Sequence, residues 1–134
     1  MVVFRRRVLP AELGEPLGAF RRLIPTLERA KAALTASVPG TRLPGRPLAE
    51  TLLEFEEGLR EVRRAMNEWR SPELEDVWLL ASEGLDEALA LAHRVRTQAV
   101  EPAGFGQLIG LIGDLLEPLG AFGAAAERFR ELRS

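Results

Sequence analysis

The sequence has no cysteine and no tyrosine, a single histidine (His93), and one lysine (Lys31) against seventeen arginines. Without thiols it has no disulfide, no thiolate metal site and no cysteine nucleophile, a pattern that fits a reducing compartment. One imidazole leaves little scope for catalysis that needs a nucleophile, a base and an orienting partner. Charge of one sign is lacking as well. Eighteen basic and twenty acidic groups leave a formal charge of -2, so the whole-chain field gives nucleic acid and anionic membranes little reason to approach. No glycine-rich phosphate loop with an attached lysine is present. The start, MVVFRRRVLP, carries three arginines with no long apolar stretch behind them, so it does not read as a secretory signal and a cytoplasmic protein is expected. The arginine, alanine, glycine and proline bias fits a thermophile or a GC-rich bacterium. The lysine enrichment typical of hyperthermophiles is missing, which puts codon bias first.

What is present is periodic. The chain is 134 residues long and 46% apolar, enough for one domain that buries about two thirds of its unfolded surface. From Leu48, apolar residues fall at Leu52, Phe55, Leu59, Val62, Met66 and Trp69, the alternating four-then-three spacing of a heptad seam. Leu13, Leu17, Phe20, Ile24, Leu27, Leu34 and Val38 repeat it, with Lys31 as the one intruder, read as a lysine that buries its stem and lifts its ammonium to water. A third, alanine-rich stripe runs from Leu74 through Trp78, Ala81, Leu85, Ala88, Ala92 and Val95 to Ala99. The fourth is Leu108, Ile112, Leu115, Leu119, Phe122, Ala126 and Phe129.

Four such stripes predict an all-α, up-and-down antiparallel four-helix bundle with helices crossing at about 20°. The expected helices are 11–37, 47–70, 72–100 and 103–132, with a loop at 38–46. Ser71 is expected to cap the third helix with Pro72 at its first position. The two Pro-Gly pairs of VPGTRLPGRP suit type II turns, which need positive φ at glycine. Pro118 is expected to kink or break the last helix.

On this map no acid lies on a seam, so neither a metal site nor a catalytic residue is assigned, and no cofactor is called for. Glu50, Glu54, Glu57, Glu61 and Glu68 read as a solvated face with pairs such as Glu56 with Arg60. Glu54-x-x-Glu57 followed by Glu73-x-x-Asp76 resembles the paired acidic motifs of the all-α nucleotide pyrophosphohydrolases. That resemblance implies those four residues as magnesium ligands and nucleoside triphosphates as substrates. It spans only residues 50–85, and Glu83-x-x-Asp86 would serve equally well as the second half. His93, one residue past Ala92, reads as a rim histidine. Arg5 to Arg7 with Arg21 and Arg22, and Arg42 with Arg46, are candidate anion contacts, but no aromatic-basic alternation accompanies them.

The last helix is the least ordinary. Residues 103–126 carry only Gln107, Asp114 and Glu117 as plainly polar side chains. The acids and Pro118 argue against a membrane span. Gly106, Gly110, Gly113 and Gly120, with Ala124 after them, follow a second stripe facing away from the seam. Each interior glycine costs a helix about 0.5–1 kcal/mol relative to alanine. Two explanations stay open: the glycines face helices of the same chain, or they admit a helix from a twin subunit or another helical protein. The second makes the protein a homodimeric or partner-binding module. A third reading is an apolar ligand held where the alanine layers leave space opposite Phe55 or Phe122. The phrase EPLGAF, at 15–20 and again at 117–122, reads as one packing unit used twice, in copies about 15 Å out of step along antiparallel helices.

Overall fold

The computed structural model describes residues 9–40 and 43–133. The chain forms helices α1 (Gly14–Thr35), α2 (Leu48–Ala65), α3 (Glu75–Thr97), α4 (Phe105–Leu116) and α5 (Ala121–Glu131). Tight 3-10 turns precede α1 (Ala11–Leu13), extend α2 (Met66–Trp69), precede α3 (Pro72–Leu74) and join α4 to α5 (Glu117–Gly120). The fold is an all-α four-helix bundle whose last helix is broken at Pro118 into α4 and α5. A proline cannot donate the next helical bond and its ring crowds the preceding turn, so the chain tightens there rather than continuing.

The helices are shorter at the open end than the periodicity predicts. Residues 36–40, 43–47 and 98–104 lie outside them. Helix α3 stops because Ala99 turns to φ 50°, and the Val100 N–H donates to the Val95 carbonyl at 3.1 Å. That is the left-handed helix ending usually given to glycine. Ser71 is extended but does not cap: its hydroxyl donates to Glu73 at 2.8 Å instead. Neither Gly40 nor Gly45 has positive φ, so the expected type II turns do not form there. Gly45 is required for another reason, since a Cβ on it would lie 2.1 Å from the Ser37 carbonyl oxygen. The backbones meet there because the Arg46 N–H donates to Ala36 at 3.0 Å.

The core follows the second, third and fourth stripes closely. Leu52, Phe55, Leu59, Val62, Met66 and Trp69 are buried along α2, and Leu74 through Val95 along α3. Helix α1 departs from its predicted phase: Phe20, Leu23, Leu27, Ala30 and Leu34 are buried, while Leu17, Ile24 and Lys31 are only half-buried. Ala30 takes the core position because it meets Gly58 of α2, where an added Cβ would sit 2.6 Å from the Ala30 Cβ. Two small residues let the helices approach closely, and α1 rotates to use the contact. Lys31 is thereby moved off the seam and donates to Glu28 at 3.2 Å.

At the closed end the two EPLGAF copies converge. Phe20 packs edge-on against Trp69 with ring centres 5.1 Å apart, and Phe122 lies 6.5 Å from the same ring. The copies are out of step as pairs, yet both place their phenylalanine on one indole. Trp78 completes this end by donating to the Met66 carbonyl at 2.8 Å, with the Arg70 guanidinium stacked 3.9 Å above its ring.

Asp76 at the start of α3 is gripped by Arg128 of α5 through two bonds of 2.7 Å. The Arg128 hydrogen bonds hold the Asp76 carboxyl below its ordinary value. A depressed carboxyl contributes stability that is complete above its unfolded pKa and is lost as pH falls through the folded one. The melting-temperature advantage of the native chain over Arg128→Gln is therefore expected to be full near neutral pH, to begin to shrink as the pH falls below about 4, and to disappear only below the lowered folded value. Melting curves of both proteins across that range check this; an advantage undiminished in acid would contradict it.

Candidate functional site

Helix α4 is the most apolar of the helices and the least covered. Of its twelve residues only Ile112 and Leu115 are buried. Phe105 is 60% exposed and Ile109 43%. At 100° per residue Phe105, Gly106, Ile109, Gly110 and Gly113 share the outward side. A Cβ built on Gly106, Gly110, Gly113 or Gly120 meets nothing within 4 Å. The glycines therefore do not face another helix among the described residues, and that explanation is set aside. Ala124, on α5, is exposed as well. The glycines that do permit close packing are others: Gly58, and Gly84 of α3, where a Cβ would lie 2.1 Å from the Pro118 carbonyl oxygen.

The first half of α4 also stands away from the bundle. Between it, the start of α2 and the end of α3 lies a cavity of about 570 Å³, walled by Leu48, Leu52, Val95, Val100, Phe105 and Leu108. Neither Phe55 nor Phe122 lines it. Ala81, Ala88 and Ala92 are themselves fully buried, so the alanine layers are filled by close helix packing rather than left open.

Beside this cavity sits a feature the periodicity does not disclose. Glu56, in α2, is fully buried. Its carboxylate accepts from the Arg96 Nε and, at 3.2 Å, from an Arg96 Nη. Arg60 Nη2 and His93 Nδ1 approach the same carboxylate at 3.3 Å each. The carboxylate bond raises the Arg96 pKa above its already high ordinary value, so Arg96 remains charged. His93, assigned to the rim, is 59% exposed and is one of the three basic groups around the carboxylate. Glu56 was legible only as the Arg60 neighbour, because its second partner lies forty residues away in sequence.

The acids of the pyrophosphohydrolase resemblance are not brought together. Glu54 accepts two bonds from Arg46, at 2.9 and 2.6 Å, and Glu57 borders a groove beside Thr26 and Arg29 of α1. Glu73 and Asp76 lie at the opposite end, where Asp76 faces α5. From Glu57 the helix runs on for twelve residues to Trp69, about 18 Å at ~1.5 Å per residue. Among the described residues no group of three or more histidine, aspartate or glutamate side chains is placed to hold a metal ion. Arg46, a candidate anion contact, is held by Glu54, and Arg21 and Arg22 are exposed. Arg5 to Arg7 and Arg42 lie outside the described residues.

No family model, curated protein or solved structure matches this chain. Its function is read from its own surface. The stretch Phe105–Glu131 is apolar and long enough to cross a membrane on length and composition, with 28% of its most apolar window buried. The 3-10 turn at Glu117–Gly120 interrupts it.

Proposed function

We propose that this protein is a self-associating helical module in which the outward face of α4 pairs with α4 of a second copy. The observation that carries the reading is that face itself: an exposed apolar helix whose glycines look into open space. The three glycines of α4, Gly106, Gly110 and Gly113, each weaken a helix by about 0.5–1 kcal/mol, and among the described residues no neighbour uses the room they leave. A second backbone would. In a two-fold pairing the same patch serves both subunits, so one stripe suffices. Asp114 is the only charged residue of α4, so two copies of the face meet without bringing rows of like charge together. Large exposed apolar patches on soluble chains mark such contacts.

Light scattering after gel filtration tests this. The native chain at micromolar concentration is expected at twice 14.8 kDa, and Gly113→Leu, which fills the approach groove with a side chain, is expected at the single mass with its fold intact by circular dichroism. A monomeric native chain, or a variant that still dimerises, would overturn the reading. Co-sedimentation of a monomeric native chain with phosphatidylglycerol vesicles would transfer the face to a bilayer instead.

A further inference from the structure

The cavity at the open end shares only Phe105 with the outward side of α4 and carries a separate inference. We propose that it binds a long-chain aliphatic monocarboxylate, with the tail along Leu48, Leu52, Val95 and Leu108 and the carboxylate on Arg96. Its volume, about 570 Å³, falls within the range of pockets that enclose small organic ligands. The walls are predominantly apolar, and such pockets orient their ligands by a few fixed polar groups.

Arg96 is such a group. Two of its nitrogens, Nε and Nη2, are tied to the buried Glu56 carboxylate, which locks the plane of the guanidinium. The remaining nitrogen, Nη1, has no protein acceptor among the described residues. The charge around it is unbalanced, because Glu56 is one carboxylate shared by two guanidiniums, Arg60 and Arg96, with His93 beside them. One unit of positive charge is left over. The other charged groups of the cavity wall are Arg46, which is compensated by Glu54 and Glu50, and the exposed Glu101. These acids make the mouth unfavourable to a dianion, so a headgroup with a single negative charge fits better than a phosphate monoester. A guanidinium prefers a planar carboxylate, which its parallel N–H groups match.

The mouth is also shaped at a conformational cost. Ala99, in the wall, is the only non-glycine residue with positive φ among those described. Such conformations cost on the order of 1 kcal/mol or more and recur at ligand clamps. Gly104, at φ 100°, closes the same turn. Beside this turn Val100 and Phe105 are left 46% and 60% exposed at the rim, where an aliphatic tail would cover them.

Native mass spectrometry and titration calorimetry with laurate, 1-dodecanol, dodecyl phosphate and acetate test the proposal. Laurate is expected to bind one per chain. Dodecanol and dodecyl phosphate are expected to bind at least tenfold more weakly, and acetate not to saturate. Arg96→Gln is expected to reduce laurate affinity at least tenfold. Should that variant fold poorly, Val100→Glu provides the same reading, since it sets a carboxylate at an exposed position on the rim outside α4 and is expected to weaken laurate equally. Gly113→Leu, outside the cavity, is expected to keep laurate binding whatever its mass, which separates this site from the pairing face. Equal binding of laurate and dodecanol, tighter binding of the phosphate, or unchanged laurate affinity in folded Arg96→Gln or Val100→Glu would overturn the assignment.

Discussion

Replacing Gly84 by valine is expected to cost the fold about 3 kcal/mol, the upper end of what overpacking a dense core costs. A Cβ at this position would lie 2.1 Å from the carbonyl oxygen of Pro118 and 3.0 Å from its carbon. Both are backbone atoms, so no side chain can swing aside. The 3-10 turn that carries them is pinned by Leu119 and followed by Phe122, each almost fully buried. Relief requires either the turn or α3 to move. The expected observation is a lower urea midpoint at little-changed m-value. Gly123→Val is the matching control, because nothing lies within 4 Å of a Cβ there and valine forms helix better than glycine. A loss at Gly84 no greater than at Gly123 would show that the Pro118 carbonyl does not rest on α3.

The second large effect is expected at Arg96. Substituting methionine leaves Glu56, with none of its side chain exposed, without its closest partner. Removing one member of a buried ion pair costs about 3–5 kcal/mol because the other stays charged and desolvated. Arg96 is itself 27% exposed and Arg60 and His93 remain at 3.3 Å, so the expected loss falls below that range. The double variant Glu56→Met with Arg96→Met removes both desolvation terms and is expected to recover more than half of that loss. Urea unfolding of the two single variants and the double gives the coupling directly. Additive losses would mean that the pair contributes nothing as a pair.

These two sites mark where sequence reasoning stopped. Heptad spacing made α2 and α3 legible almost residue by residue, because a helix exposes one face in every 3.5 positions and only burial punishes the wrong residue there. The same rule misplaced the phase of α1. Its stripe tolerated two phases, and the choice fell to a contact between Ala30 and Gly58 on different helices. Glu56 was read as part of a solvated face since, at four residues past Leu52 and three before Leu59, it flanks the seam. A flanking acid is buried only when a distant base covers it, and Arg96 comes from the next helix but forty positions on. The glycines were legible as a stripe but not as an open one. Spacing shows which glycines share a face, while the open space around Gly110 and Gly113 depends on where the other helices lie.

The sequence alone therefore determined the helices, their antiparallel bundle and the break at Pro118, all of which follow from periodicity and from local backbone chemistry within a few residues. Tertiary structure decided which small residues are contacts and which are exposed, which acid is buried, and where the cavity lies. Those features depend on atoms brought together from positions far apart in the chain, at distances of 2–4 Å where hydrogen bonding and close packing act. No local pattern encodes them.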